Sequence, residues 1–149
     1  TRANPIQLIV TEPAPRVIDR MLAHADRHLT LKQVPNGNLI IGGGWPAHLN
    51  QSSHRPEVLR DSFEGTLWVA LKVLPTLRSV HAIRSWAAKN VAIDGAPIIG
   101  EAPGHPGFFN AVTVNGVTLG PVLGQLTADM IRSGRTNTFI TPFTLARFA

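Results

Sequence analysis

The chain has 149 residues, 44% hydrophobic and 15% charged, with a formal net charge of +5 and no cysteine. It is long enough to bury a core, and the lack of cysteine excludes disulfides, thiolate metal centres and cysteine catalysis. The basic residues are scattered, tyrosine is absent, and no apolar run approaches the roughly 20 residues of a membrane span. No nucleic-acid partner and no membrane span are therefore expected. The composition fits a reducing compartment, and the expected location is the cytoplasm, with any membrane association coming through a partner.

Taken in chain order, Pro5 to Val10 alternates as a strand and ends at Pro13 and Pro15. A chain that opens inside a strand at Thr1 reads as a fragment. Ile18 to His24 is a short strand or irregular. Leu29 to Val34 and Leu39 to Ile41 flank Pro35-Asn36-Gly37-Asn38, and Asn-Gly is a strong hairpin signal. Gly42-Gly43-Gly44 ends the return strand, and Ala47 to Ser53 reads as loop. Leu59, Phe63, Leu67, Leu71 and Leu74 recur at helical spacing and predict an amphipathic helix over Glu57 to Leu74. Pro56 would lie in its first turn, Ser53 would cap it, and Pro75 would stop it.

Val80 to Ala87, Pro97 to Gly100 and Phe108 to Val114 read as strands, with a turn at Asp94-Gly95. A second helix is predicted over Pro121 to Arg132. Leu123, Leu126, Met130 and Ile131 would be its buried stripe, with Gly134 just past the end. The apolar tail Phe139 to Phe148 is expected to pack in extended form. These elements define an α+β chain: an antiparallel, hairpin-rich sheet with a covering helix, then a strand–turn–helix unit.

Gly42-Gly43-Gly44-Trp45-Pro46-Ala47 formally fits G-x-G-x-x-G/A. A dinucleotide fingerprint needs a helix opening at the glycines inside a βαβ unit. Here Pro46 and a polar loop follow a hairpin arm, so the run reads as a strand end with close backbone approach. His24 and His28 are four apart, but no third ligand is evident, and no metal is expected. His48, after the glycine run, is a candidate for lining a substrate pocket. No Ser-His-Asp arrangement can be read from spacing alone, and no catalytic side chain is assigned.

Asn115-Gly116-Val117-Thr118-Leu119-Gly120-Pro121 is the best site candidate. A glycine-rich strand-to-helix turn presents N–H groups and a helix N-terminus to an electron-rich ligand atom. Its neighbours are Trp86 after a basic residue, Asp94-Gly95-Ala96-Pro97-Ile98-Ile99-Gly100, and Gly107-Phe108-Phe109-Asn110-Ala111. After it come Gly124, Ala128, Asp129 and Ile131, then Pro142-Phe143 and Arg147-Phe148. In this order, with the hairpin Pro35 to Gly43 upstream, the pattern resembles the C-terminal part of the D-amino acid oxidase family of flavoenzymes. That family includes sarcosine oxidase, glycine oxidase and bacterial amino acid and opine dehydrogenase subunits.

The resemblance implies residues 1–91 as part of a substrate-binding domain and 92–149 as the closing segment of an FAD-binding domain. FAD is the implied cofactor, with Gly116, Val117, Thr118, Leu119 and Gly120 against the flavin. The implied substrate is a small amine or amino acid, oxidised at its C–N bond by hydride transfer to flavin. His48, Arg84, Lys89 and Asn115 are the candidate substrate residues. Many members carry an Arg shortly after the tryptophan; the nearest basic residue here is Lys89, a point charge and not a fork. Where some oxidases have a Lys in the flavin-facing turn, this chain has Thr118, which favours a dehydrogenase.

The family's G-x-G-x-x-G and ribose-binding acid belong to an N-terminal half outside these residues. The fragment alone is thus expected to be inactive and to need that half, with partner subunits or self-association through unpaired sheet edges. The alternative is a non-catalytic binding or interaction module. The two are distinguished by whether a strand and G-x-G-x-x-G lie upstream.

Overall fold

The computed structural model describes residues 3–91 and 94–148. It divides into two compact units, Asn4–Asn90 and one formed by the residues from Val91 on. The expected boundary at residues 91 and 92 falls partly outside the described residues. The mixture of antiparallel strands and helices is α+β, as the sequence predicts.

In chain order the first unit contains β1 (Ala3–Pro13), β2 (Leu22–His24), β3 (Leu29–Gln33), β4 (Asn38–Gly42), β5 (His48–Leu49) and β6 (Pro56–Glu57). Then follow helix α1 (Arg60–Val73), a 3-10 turn (Pro75–Ser79) and β7 (Ala82–Val91). Five strands form one sheet in the order β2-β3-β4-β1-β7. Leu31 of β3 and Ile9 of β1 both lie opposite Ile41 of β4, so residues alternating along three strands share one face. That face is the core: Ile9, Leu29, Leu31, Leu39 and Ile41 pack with Val69, Ala70 and Leu77. Each fully buried large aliphatic contributes about 1.5–3 kcal/mol.

The register of β1 on β4 shifts between Val10 and Pro13, as at a β-bulge. The Thr11 hydroxyl fills in there by accepting from the Leu39 N–H at 3.0 Å. At the far end of β1, the Glu12 carboxylate accepts from the His81 N–H at 2.9 Å and meets its ring Nδ1 at 2.7 Å. The backbone bond, then the ring contact, holds the Glu12 pKa below its ordinary value.

Two expectations around α1 are corrected. Pro56 is not in the helix: Pro56–Glu57 pairs antiparallel with His48–Leu49, in a stretch expected to be loop. Ser53 does not cap the helix either. The Asn50 side chain turns the chain here, accepting from Ser52 N–H and Ser53 N–H. The helix begins at Arg60, and its N-cap, Leu59, offers no side-chain hydrogen bond. Its start is fixed from outside: Gln7 of β1 accepts from Leu59 N–H at 2.8 Å and donates to the Leu59 carbonyl at 3.2 Å.

The buried helix face is Ser62, Thr66, Val69 and Ala70, so small residues approach the sheet most closely. The stripe Phe63, Leu67 and Leu71 flanks that line, half-buried. Gly65 faces Trp45, whose ring carbons lie 2.6 Å from where a Cβ would be.

The second unit contains β8 (Ile98–Glu101) and β9 (Phe109–Val112), paired antiparallel, then helix α2 (Gly116–Ser133). Ile99, Leu123, Met130 and Ile140 are its buried core. Ile131, expected in the buried stripe, is 59% exposed. Gly134 ends α2 in the left-handed conformation, φ 65°, with its N–H on the Met130 carbonyl. The tail is not extended: Thr138–Phe143 and Leu145–Phe148 are 3-10 turns, the first capped by the Asn137 side chain accepting from Phe139 N–H. Arg147 fastens the tail by a two-pronged contact with Asp94, Nε to Oδ2 at 2.8 Å and Nη2 to Oδ1 at 3.0 Å.

This packing can be tested at two positions. Gly43 has φ +129°, and a Cβ on it would lie 2.4 Å from the Leu29 nitrogen and 2.5 Å from the His28 carbonyl carbon. Gly43→Ala should cost about 3 kcal/mol from backbone strain and overpacking, measured by denaturant unfolding. The Arg147 contact, first of all, holds the Asp94 pKa below its ordinary value of 3.8. Its stabilisation is complete above that value and disappears as pH falls through the lowered folded value. Asp94→Asn should therefore lower the melting midpoint at neutral pH, and the gap from wild type should close in acid below the folded value.

Candidate functional site

Each unit carries one candidate site. In the first unit, the sheet face opposite α1 opens into a cleft of about 520 Å³. Gln7, Ile9 and Thr11 are the buried positions of β1, so Ile6 and Leu8 point to the other face. A Cβ on Gly42 would sit 2.7 Å from Leu8 and 3.5 Å from the Thr30 hydroxyl, which places those side chains on that same face. Ile6, Leu8 and Thr30 line the cleft, with Gly43 and Gly44 at one wall and Asn90 from β7.

The other wall is the turn from His24 to His28. It is held by the His24 ring, whose Nδ1 accepts from the N–H groups of Asp26 and Arg27, both at 3.1 Å. Nδ1 is thus an acceptor, and the ring proton of neutral His24 is assigned to Nε2. The cleft combines an apolar floor with a hydroxyl, a neutral amide, an imidazole and the charged side chains of Asp26 and Arg27. Among the described residues, no group of three or more His, Asp or Glu is placed to hold a metal ion.

The sequence-predicted substrate residues do not line this cleft. His48 is exposed on β5, and Arg84 and Lys89 are exposed on β7. Asn90, which sequence reasoning passed over, is the β7 residue that does. Strand alternation from Trp86 puts Ala88 and Asn90 on one face and Lys89 on the other. Arg84 is six residues away from Asn90, about 20 Å along an extended strand.

In the second unit the expected glycine-rich turn is the start of a helix. α2 begins at Gly116, so Gly116, Val117, Thr118, Leu119 and Gly120 form its first turn. The N–H groups of Thr118 and Leu119 are donated to the Asn115 carbonyl, at 3.1 and 2.8 Å, and are not free for a ligand. Gly116 and Val117 carry the N–H groups that a helix start leaves unpaired. Asn115 is the N-cap, exposed and without a side-chain capping bond. Pro121 lies inside α2, not at its start.

This turn is open. Cβ atoms on Gly116, Gly120 or Gly124 would meet nothing within 4 Å, and Val117 is 99% exposed. On β9 nearby in sequence, the Asn110 side-chain nitrogen is buried without a hydrogen-bond partner among the described residues. It lines a hollow with Ala102, His105, Phe108 and Leu145.

Comparison with known proteins supplies the class. The model of the DAO family, FAD dependent oxidoreductase, matches residues 4–130, and the chain belongs to that family. It is 28% identical over 146 residues to a subunit of the opine oxidase of Rhizobium meliloti, covering 95% of this chain and 36% of that protein. It is 32% identical over 81 residues to glycine oxidase of Geobacillus kaustophilus (strain HTA426), covering 52% of this chain and 22% of that protein. Among solved structures, L-proline dehydrogenase from P. horikoshii superposes with a TM-score of 0.84 at 21% identity, over 98% of this chain and 40% of that one. The chain thus spans well under half the length of the relatives it matches.

The His24 contacts make a direct prediction. His24→Ala should remove the acceptor of the Asp26 and Arg27 N–H groups, and hydrogen exchange at those two amides should speed up while the β3–β4 amides stay protected.

Proposed function

We propose that this chain is the C-terminal portion of an FAD-dependent oxidoreductase that oxidises an amine or amino acid at its C–N bond. In this reading residues 1–91 are part of the substrate-binding domain, and residues 92–149 close the FAD-binding domain. The observation that carries it is the family match, joined to an open helix start where the resemblance puts the flavin.

The residues present fit that cofactor. Gly116 and Gly120 leave the first turn of α2 without obstruction, and the free N–H groups of Gly116 and Val117 point positive charge outward with the helix dipole behind them. Those two residues would hold the electron-rich edge of the ring; Thr118, Leu119 and Gly120 shape the turn. Bound FAD supplies the acceptor for the hydride that leaves the substrate carbon. The chain's own part is to bind and orient. The floor of Ile6 and Leu8 excludes water from the apolar side of a substrate, and Thr30 and Asn90 offer hydrogen bonds to its polar end. Thr30 and Asn90 are neutral; the charged groups bordering the cleft are Asp26 and Arg27, in the turn that forms its other wall. His48, Arg84 and Lys89, outside this cleft, and Asn115, at the start of α2, stay candidate substrate residues of the complete protein.

An N-terminal half carrying the pyrophosphate-binding turn completes the cofactor site. A relative named as a subunit supports a multi-subunit assembly. Thr118 in the first turn, in place of a lysine, favours a dehydrogenase.

The test is the absorbance spectrum of the complete protein under anaerobic conditions, with amino acids, sarcosine and opines added in turn. Bleaching of the flavin band by one of them supports the reading; a colourless protein that takes up no added FAD sinks it. A paired prediction concerns Gly120→Ala. With open space at that Cβ, the change should stabilise α2 by up to about 1 kcal/mol through helix propensity. The same methyl should weaken flavin retention in the complete protein, read by equilibrium dialysis.

A further inference from the structure

Trp68 is 53% exposed on the outer side of α1, an unusual place for the largest apolar side chain. Two cations lie over its ring, the Arg27 guanidinium 5.6 Å and the Lys72 ammonium 5.5 Å from the centroid. Among the described residues neither cation forms an ion pair: the pairs on this unit are Arg16–Asp19, Arg60–Glu64 and His81–Glu12. Glu64, the carboxylate one helical turn before Trp68, is taken by Arg60 at 2.6 Å.

Beside the indole is a hollow of about 250 Å³ walled by Trp45, Gly65, Trp68 and Val69, with Arg27 and His28 at its edge. It is held in shape from both sides. Trp45 donates its ring N–H to the His28 carbonyl, and its ring lies where a side chain on Gly65 would be. A half-exposed Trp next to a fixed apolar hollow, with an Arg at the edge, is the composition of an interface hot spot.

We propose that this patch binds an acidic segment of a partner protein, one in which an apolar side chain is flanked by carboxylates. The apolar side chain would enter the hollow against Trp45, Trp68 and Val69. The carboxylates would meet Arg27 and Lys72, already held over the ring by cation–π attraction and so ordered at lower entropic cost. A protein segment is favoured over an anionic membrane because only two cations flank the Trp, where lipid-binding clusters carry about 4–8. It is favoured over a second copy of this chain because the chain itself is basic, at +5. Asp26 borders the same hollow and sets a limit: a partner carboxylate belongs on the Lys72 side or directly on the Arg27 fork.

The test uses the full-length, FAD-loaded protein and a fluorescently labelled pentapeptide, Asp-Asp-Leu-Asp-Asp, followed by anisotropy. Saturable binding is expected, weakened by salt as the Debye length shortens. It should fall by about 10-fold or more in Trp68→Ala and in the charge reversals Arg27→Glu and Lys72→Glu. A Lys-Lys-Leu-Lys-Lys control should not bind. Lys72→Gln, a mild change at an exposed position, should give an intermediate loss and shows that the effect is not unfolding. The proposal is overturned if the acidic peptide does not bind, or binds Trp68→Ala as it binds wild type. It is equally overturned if phosphatidylserine vesicles bind in a Trp68-dependent way while the peptide does not. Sedimentation showing a dimer that Trp68→Ala dissolves would assign the patch to a second copy instead.

Discussion

The first unit depends on one side-chain amide. Gln7 sits in β1 with 1% of its surface exposed and bonds both main-chain groups of Leu59, the residue that opens α1. A buried glutamine is costly unless its donor and acceptor are both used, and here they are used on a helix start that has no cap of its own. The contact fixes where α1 begins and at what rotation it lies on the sheet. The rotation decides that Ser62, Thr66 and Ala70 meet the β3–β4 leucines and isoleucines while Trp68 faces out. Replacing Gln7 by an apolar residue would leave the Leu59 N–H at the helix entrance without its partner, a loss of about 1–3 kcal/mol, while the Leu59 carbonyl would keep its bond from the Phe63 N–H at 3.0 Å.

What could be read from the sequence divides along the same line. The β3–β4 hairpin was legible because its signals are local: period-two apolar residues on both arms and Asn36-Gly37 between them. The stop at Gly134 was legible for the same reason. The start of α1 was not, because Ser53 and Pro56 offer a plausible local cap that loses to a contact from Gln7, far away in sequence. The apolar stripe of α1 was legible, since Phe63, Leu67, Leu71 and Leu74 pack against the core; that the small Ser62, Thr66 and Ala70 are among its most buried positions was not. The start of α2 was placed too late because Pro121 looks like a first helical residue, yet a helix tolerates it inside.

The candidate site shows the same pattern. The open glycines of α2 were visible in the sequence; that Thr118 and Leu119 spend their N–H groups on Asn115 was not. Lys89 drew attention as a charge, while the neutral Asn90 is the one in the cleft. Charge is easy to see in a sequence, and strand phase is the better guide to which residue reaches a pocket.

Pro121 has one more effect. With no N–H at that position, the Val117 carbonyl lacks the donor it would meet one turn later, so the first turn of α2 joins the rest of the helix one hydrogen bond short. Helix order spreads by such bonds, and this turn is therefore the least cooperative part of α2, while it carries the two unpaired N–H groups. With one bond fewer tying it to the helix, that turn costs less to open than the turns after it, so a ligand that settles on Gly116 and Val117 would also tighten the joint at Pro121.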